Sequence, residues 1–191
     1  MFIAVTGTPG TGKSSVCTAL GLDYLDLNRV IRELGLYTGL DPERGSLIAD
    51  LDRLREYVRR QKEQPLLIIE GHLAHLLEPE VAIVLRANPL VLTRRLEQKS
   101  FPPQKIQENV EAEALDVILV EAVDLCAVVY EVDTSAMSIE EVAAVVRAII
   151  AAETVEGESE QRAALRQRYA PGSVDWSPFF NTVFRFTGCS G

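Results

Sequence analysis

The chain has 191 residues, of which 47% are hydrophobic and 25% are charged, and its formal net charge is −9. This composition is that of a globular protein and excludes a largely disordered chain, and the length suffices for one well-buried domain and an appendage. The acidic balance argues against strong binding of nucleic acid, because phosphate contacts need a basic surface. The apolar runs are shorter than the roughly 18 residues of a membrane span, so no membrane partner is expected.

The cysteines and the N-terminal sequence bear on the compartment. The three cysteines form no CxxC pair and are too scattered for a disulfide framework. The N-terminus lacks the basic and apolar regions of a signal peptide. Both observations predict a cytoplasmic protein.

The first predicted elements surround a glycine-rich stretch, GTPGTGKS over residues 7–14. A short apolar run at 2–6 predicts a buried strand before it, and helical composition at 13–20 follows. The glycines allow backbone N–H groups to turn inward around an anion, and the start of the helix adds its positive end. Together they predict a P-loop, in which Lys13 reaches the β- and γ-phosphates of ATP and Ser14 binds Mg²⁺. The predicted ATP-binding residues of this loop are Gly10, Thr11, Gly12, Lys13, Ser14 and Ser15.

A strand, a helix and a loop are predicted next. DYLDL at 23–27 predicts a short strand, and NRVIRELGL at 28–36 predicts a helix with Asn28 as its candidate N-cap. YTGLDPERGS at 37–46 is typical of a turn-rich loop.

Two buried strands follow an amphipathic helix. Apolar spacing from 47 to 58 predicts the helix, which ends before Pro65. LLIIE at 66–70 and VAIVLR at 81–86 are apolar on both faces. Such strands fit a parallel sheet that is covered by helices on both sides.

The second half of the chain continues the alternation. Helical composition at 89–99 and at 105–124 flanks SFPPQ at 100–104, and CAVVYEVD at 126–133 predicts a fifth strand. A capping box, Ser138 to Glu141, starts a further helix. Strands that alternate with helices indicate an α/β fold with a mainly parallel sheet.

Beyond about residue 152 the pattern changes to a polar linker, a helix at 158–169 and an aromatic segment. We interpret residues 152–191 as a C-terminal arm. Its aromatic residues are expected to pack onto the body or onto a neighbouring subunit, with a partner-binding strip as the alternative. These residues are Trp176, Phe179, Phe180, Phe184 and Phe186.

Both histidines follow the strand at 66–70, in EGHLAHLL. In P-loop proteins a second strand ends in an acid that holds Mg²⁺, and Glu70 is the candidate, either directly or through water. The spacing of Glu70, His72 and His75 admits a zinc site, a structural pair or an active-site role, although zinc would need further ligands that the chain does not offer. We expect His75 to be structural, and His72 to orient a water or a phosphate oxygen or to transfer a proton.

Six stretches make the sequence resemble the adenylate kinase isoenzyme 6-type family, in its archaeal form. They run in order over about residues 1–150 and read GTPGTGKS, RELGLYTGLDPERGS, EGHLAHLL, VLRANPLVLTRRL, KIQENVEAEALDVIL and VYEVDTS. The resemblance implies a P-loop NTPase three-layer fold, with an adenylate-kinase-like five-stranded parallel sheet, helices on both faces and a short lid. It places a P-loop NMP-kinase domain at 1–151, an NMP-binding segment at about 28–50 and the lid at about 97–106.

The resemblance also implies an activity. Members of the family transfer phosphate between ATP and AMP with Mg²⁺ and also hydrolyse ATP. Eukaryotic members act in assembly of the small ribosomal subunit, bound to a ribosomal protein of the S11 class. The chain is therefore expected to be an ATP:AMP phosphotransferase with ATPase activity. The alternatives are an ATP-driven assembly factor with an S11-class partner and, more distantly, a small-molecule kinase of the shikimate or gluconate type.

Several site residues follow from the resemblance by position. Arg32 corresponds to the arginine that grips the AMP phosphate, with Asn28 in the same segment and Arg86 as a second substrate-facing arginine. The alternatives are a solvated Arg32 paired with an acid and a surface ion pair at Arg86. Glu70 and His72 match the acid-x-His element of the family. The loop where adenine stacks and hydrogen-bonds falls on Asp133, Thr134 and Ser135.

The lid departs from the pattern of the family, R-L-x-x-R-G-[YFW]. This chain reads RLEQKSF from Arg95 to Phe101, so that Lys99 replaces the second arginine and Ser100 the glycine. Lysine keeps the charge but loses the planar fork that contacts two phosphate oxygens at once. We expect Arg95 and Lys99 to close over the transferring phosphate, with slower transfer than a second arginine would give.

Overall fold

The computed structural model describes residues 1–42, 45–61 and 64–184. Predictions that fall on other residues lie outside this described part, among them those for residues 43–44 of the AMP-binding segment and for Phe186 of the arm. None of the helices in these ranges is long and apolar enough to cross a membrane.

The strands form one large parallel sheet and one small hairpin. Their bounds are β1 (Phe2–Thr6), β2 (Leu25–Asp26), β3 (Tyr37–Asp41), β4 (Ser46–Ala49), β5 (Leu67–Glu70), β6 (Val81–Arg86) and β7 (Val128–Asp133). The large sheet has the order β2–β5–β1–β6–β7 with parallel pairing throughout, which confirms the predicted five-stranded sheet. β3 and β4 pair antiparallel.

The helices lie on both faces of the large sheet and extend into the arm. Their bounds are α1 (Lys13–Leu20), α2 (Leu27–Glu33), α3 (Leu51–Gln61), α4 (Pro89–Gln98), α5 (Pro103–Ala114), α6 (Val117–Leu125), α7 (Ile139–Thr154), α8 (Glu160–Arg168) and α9 (Phe180–Val183). Two short 3₁₀ turns span Ala74–Leu77 and Ser177–Phe179.

The central strand β1 shows why the fold has three layers. Successive side chains of a strand point to opposite faces of the sheet. Ile3 and Val5 pack into a core with α1 and α7, whereas Phe2 and Ala4 pack into a core with α2 and α3. Burial of each large apolar side chain contributes about 1.5–3 kcal/mol, so that both helical layers hold this strand in place.

The parallel sheet gathers the carboxyl ends of its strands at one edge. The register places Glu70 of β5 beside Val5 of β1 on one side and beside Asp26 of β2 on the other. At the far side of β1, Arg86 of β6 lies beside Asp133 of β7. This edge is where open α/β sheets bind their ligands.

The N-terminal cap of α2 differs from the prediction. The helix begins at Leu27, and its N-cap is Asp26 rather than Asn28. The Asp26 carboxylate accepts a hydrogen bond of 3.0 Å from the N–H of Arg29. The strand therefore passes directly into the helix, and Asn28 lies in the first turn.

The predicted loop at 37–46 contains most of a hairpin, β3 and β4. Leu47 and Ile48, whose apolar spacing predicts that they start the following helix, belong instead to β4 and are exposed. The helix α3 begins only at Leu51, where the N–H of Arg53 bonds to the carboxylate of Asp50. The error arose because two exposed apolar strand residues happened to continue the helical spacing.

The single helix predicted at 105–124 is two helices. α5 ends at Ala114, Asp116 has a φ of 57°, and α6 begins at Val117. A residue in the left-handed region interrupts the helical hydrogen bonds. The Asp116 carboxylate pairs with the guanidinium of Arg86, which supports the break.

The described part of the C-terminal arm packs against the body. The carbonyl oxygen of Tyr169 accepts a hydrogen bond of 2.8 Å from the N–H of Glu131 in β7. Trp176 is buried, and Phe179 packs with the core formed by α4 and α5. Phe180 is 38% exposed, so that not every aromatic residue of the arm is covered.

Candidate active site

The glycine-rich loop between β1 and α1 has the backbone that an anion nest requires. Gly7, Gly10 and Gly12 have φ values of 134°, 98° and 102°, in a region that favours glycine. A side chain at Gly7 would also place its Cβ 2.2 Å from the carbonyl oxygen of Leu85. The loop leads into the start of α1, whose positive end favours phosphate.

Lys13 is folded over this loop. Its Nζ donates to the carbonyl oxygens of Gly7 at 2.8 Å and Thr8 at 3.0 Å, and the side chain is buried. Burial lowers the pKa of Lys13 to about 8, although Glu70 and Glu113 oppose this shift. The amine is therefore mostly protonated at pH 7, and a phosphate beside it would favour the charged form further.

Glu70 and Ser14 meet beside the P-loop at the end of β5. Burial raises the pKa of Glu70, while Lys13 and a hydrogen bond from the Ser14 side chain lower it. Mg²⁺ in phosphate sites takes one or two protein oxygens together with phosphate oxygens and waters. The Ser14 hydroxyl and the Glu70 carboxylate provide this donor set.

The two histidines have different environments. His75 is fully buried, with Nδ1 3.0 Å from the Thr6 hydroxyl and Nε2 3.0 Å from the carboxylate of Glu121. Both ring nitrogens are thus engaged, as the structural interpretation predicts. Burial, followed by Lys13 and His75, lowers the pKa of His72 to about 4, so that His72 is neutral at pH 7.

The zinc interpretation of the histidines finds no support in the part of the chain that the structure describes. In the described ranges, no group of three or more His, Cys, Asp or Glu side chains is placed to hold a metal ion. With both nitrogens of His75 engaged, that interpretation has no remaining basis.

A cleft of about 210 Å³ lies between the P-loop, α4 and the loop after β7. Arg95 spans it, donating to the Thr134 hydroxyl at 2.9 Å and to the Thr134 carbonyl oxygen at 2.7 Å. Lys99 is exposed at the same cleft. The predicted ATP-binding residues that line it are Gly10, Thr11, Gly12, Ser15 and Thr134.

The side chains of Asp133 and Ser135 form hydrogen bonds at the end of β7 and to the start of α4. The N–H of Ser135 donates to the Asp133 carboxylate at 2.8 Å, and its hydroxyl accepts from the N–H of Asn88 at 2.7 Å. Neither residue lines the cleft beside the P-loop. Of the three predicted adenine-loop residues, the structure therefore brings only Thr134 to that cleft.

The predicted AMP-side residues lie on α2. Asn28 and Arg32 are exposed there, and the helix follows directly from the strand that ends at Asp26. Asp26 lies beside Glu70 in the sheet and contributes to its raised pKa. The start of the predicted AMP segment is thus adjacent to the acid at the end of β5.

The prediction for Arg86 needs correction. This side chain is 1% exposed, and its guanidinium bonds to the carboxylates of Glu113, Glu131 and Asp116. It is neither a substrate-facing group nor a surface ion pair. The sequence could not show this, because the acidic partners lie 27 to 45 residues away along the chain.

Two residues of the site escaped the sequence interpretation. The Thr8 hydroxyl of the P-loop donates to the carboxylate of Glu113, which is 2% exposed. Glu113 lies in a helix rich in glutamate, where a buried acid cannot be told from its solvated neighbours. A glutamate three residues after an apolar position, here Val110, offers no signal of its partner.

Comparisons with known proteins agree with this geometry. The AAA domain family matches residues 3–116. The chain is 46% identical to a protein of Archaeoglobus fulgidus, over 92% of both chains, and 41% identical to one of Methanosarcina acetivorans, over 92% of this chain and 97% of the other. Both relatives are named "Putative adenylate kinase".

Solved structures of low identity share the fold. A shikimate kinase of Acinetobacter baumannii in complex with shikimate has a TM-score of 0.57 at 14% identity, covering 81% of this chain and 95% of its own. A shikimate kinase of Bacteroides thetaiotaomicron has a TM-score of 0.55 at 19% identity, covering 79% and 98%. At such identity the likeness concerns the fold alone.

The parallel sheet, the glycine loop and Lys13 define a P-loop protein with a kinase-type fold. The archaeal relatives match nearly the whole chain at more than 40% identity, so they identify the family within this class. The chain belongs to the archaeal family whose members are named "Putative adenylate kinase", which confirms the resemblance predicted from the sequence.

Proposed function

We propose that this protein is a nucleoside monophosphate kinase that transfers the γ-phosphate of ATP to AMP. The observation that carries the proposal is the P-loop with Lys13 folded over it and the Ser14–Glu70 pair beside it. This arrangement suits a nucleoside triphosphate with Mg²⁺. The names of the archaeal relatives support AMP as the acceptor.

The residues of the chain would act by positioning and charge. Lys13 would leave the carbonyl oxygens of Gly7 and Thr8 and bind the β- and γ-phosphates instead. The backbone N–H groups of the loop would bind oxygens of the same phosphates. When bound at Ser14 and Glu70, Mg²⁺ would neutralise charge on the phosphates. Arg95 and Lys99, at the rim of the cleft, would close over the transferring group.

His72 would act as a neutral group. Its pKa of about 4 leaves the imidazole uncharged at pH 7, so it is able to accept a hydrogen bond on one nitrogen and donate on the other. It lies two residues beyond Glu70, where the γ-phosphate is expected. We therefore propose that His72 orients a water or a phosphate oxygen by hydrogen bonding and does not supply a positive charge.

In this proposal, Arg32 and Asn28 bind the acceptor nucleotide, AMP. Both are exposed on α2, at the end of the sheet where Asp26 adjoins Glu70. An arginine there would present a planar fork to the AMP phosphate. Arg86 is not part of this side, because three carboxylates engage it.

ATP hydrolysis is a secondary activity in this proposal. The observation that favours it is Lys99, which stands exposed at the cleft in place of a forked arginine and would close it less firmly against water. A role in ribosome assembly with an S11-class protein stays a prediction from the resemblance. The names of the archaeal relatives mention adenylate kinase only.

A panel of acceptors tests the substrate. Purified protein with ATP and Mg²⁺ would be supplied with AMP, CMP, UMP, GMP or shikimate, and acceptor-dependent ADP formation would be measured. The proposal predicts the highest kcat/KM with AMP and a large loss in Arg32→Met. The matched control is Arg29→Met, which is also exposed and lies three residues earlier on the same helix. Preference for shikimate, or equal rates in both variants, would contradict it.

A further inference from the structure

We infer that the C-terminal arm is a positioning element for the phosphate loop and that it acts through Glu113. The inference rests on the proposed function, because it concerns the loop that would hold ATP. A buried chain of contacts carries it, from Trp176 of the arm through Glu113 to Thr8 of the loop.

Glu113 joins the arm to the loop directly. Its Oε2 accepts a hydrogen bond from the Thr8 hydroxyl, and its Oε1 accepts one of 3.2 Å from Nε1–H of Trp176. Trp176 is buried, and its ring also lies 5.9 Å from the guanidinium carbon of Arg86. One carboxylate therefore touches both the P-loop and the arm.

Thr8 in turn is hydrogen-bonded to Lys13, the catalytic lysine of the proposed function. Its carbonyl oxygen accepts from Lys13 Nζ at 3.0 Å and from the hydroxyl of Thr11 at 2.9 Å. A shift of Thr8 would thus move both the lysine and the turn of the loop. Displacements of about 1 Å at such positions cost a large factor in rate, because the reacting groups lose their alignment.

The arm also donates hydrogen bonds to the acidic cluster around Arg86. One guanidinium faces three carboxylates, two of which, Glu113 and Glu131, are buried. The arm supplies further donors: Val174 N–H lies 3.3 Å and the Ser173 hydroxyl 3.4 Å from Glu131 Oε2. Buried carboxylates need such donors, and Glu131 takes these two from the arm.

Trp176 is the only tryptophan of the chain, so its fluorescence reports this contact without labelling. The full-length protein would be titrated with Mg²⁺–ADP while tryptophan emission and binding heat are measured in parallel. The inference predicts an emission change with the same Kd as the calorimetric titration. Thr8→Val, which removes the linking hydroxyl, should still bind with measurable heat but lose most of the emission change. The matched control Thr154→Val lies at the distant end of α7 and should respond like the wild type.

The outcomes separate the inference from the proposed function. Binding heat without any change in Trp176 emission would overturn the inference alone. An undiminished emission change in Thr8→Val would do the same. Absence of binding heat in the wild type would overturn the proposed function, and the inference with it.

Kinetics of an arm variant test the consequence for catalysis. Trp176→Phe keeps an aromatic ring near Arg86 but removes the Nε1–H, and Phe180→Leu changes an exposed aromatic residue of the same arm. We expect kcat to fall about threefold or more in Trp176→Phe, with the KM for AMP unchanged, and both to stay near wild type in Phe180→Leu. If Trp176 had a merely structural role, Trp176→Phe would lower the melting midpoint without lowering kcat at an unchanged KM for AMP. Equal kcat in Trp176→Phe and the wild type would contradict the inference.

Discussion

Arg95 of α4 is tied to Thr134 by two hydrogen bonds, 2.9 Å to the hydroxyl and 2.7 Å to the carbonyl oxygen. The same hydroxyl lies 3.1 Å from the carbonyl oxygen of Thr11 in the P-loop. A predicted lid arginine and a predicted adenine-loop residue therefore meet at one point beside the phosphate loop. Burial lowers the pKa of Arg95, yet so strong a base keeps its charge at any pH of interest.

Removal of the Thr134 hydroxyl should weaken ATP binding more than AMP binding. Thr134→Val leaves Arg95 with only the carbonyl contact and cuts the link to Thr11. We expect the KM for ATP to rise about fivefold, which corresponds to about 1 kcal/mol for one hydrogen bond. Steady-state kinetics with each substrate varied would check this. The control is Thr93→Val on α4, whose hydroxyl donates to the Pro89 carbonyl oxygen of its own helix. An unchanged KM for ATP in Thr134→Val would contradict the expectation.

Ser100 offers a test of lid strain. It has a φ of 57°, in the left-handed region, at the position where the family pattern has glycine. Ser100→Gly should raise the free energy of unfolding by about 1 kcal/mol, because glycine adopts this conformation without the clash of Cβ. Urea unfolding of Ser100→Gly and Ser100→Ala would measure it. Since alanine also carries a Cβ, stabilisation by both substitutions would show that φ is not the cause.

Lys99 should limit the rate of transfer. Lys99→Arg restores a planar fork at the rim of the cleft, and we expect kcat for ADP formation to rise severalfold with ATP hydrolysis unchanged or lower. Coupled assays for ADP and for free phosphate would measure both rates. The same substitution at Lys105, which does not line the cleft, is the control. A kcat no higher than that of wild type would show that the fork is not limiting.

His72 should make the fold less stable in acid. Its pKa in the folded state is about 4, below the 6.5 of an unperturbed histidine. As the pH falls from about 6.5 to 4, the unfolded chain binds a proton here that the folded chain does not, so stability decreases. As the pH falls across this range, the denaturant midpoint of the wild type should therefore drop toward or below that of His72→Gln. Parallel profiles would contradict the lowered pKa.

The local features of the site could be predicted from sequence because they are contiguous. The P-loop at 7–14, the strand ending at Glu70 and the capping box at Ser138 each depend on a few neighbouring residues. The five-stranded parallel sheet, though not the order of its strands, followed from the family resemblance and from the alternation of strands and helices. These elements are the ones that the structure reproduces.

The features that could not be predicted are set by distant partners. Arg86 looked like a substrate group because it ends a strand, yet its acids come from α5, β7 and the turn at Asp116. The role of Trp176 depends on Glu113, 63 residues away. The hairpin at β3 and β4 was missed because its apolar residues, such as Ile48, remain exposed and mimic a helical spacing.

A product assay tests the central claim most directly. Purified protein would be incubated with ATP and Mg²⁺, with and without AMP, while ADP and free phosphate are followed separately, and Lys13→Met would serve as the inactive reference. The account predicts that AMP drives ADP formation far beyond phosphate release and that Lys13→Met loses both, because the lysine holds the β- and γ-phosphates. Phosphate release that dominates, with no effect of AMP, would contradict the assignment of this P-loop protein as a nucleoside monophosphate kinase.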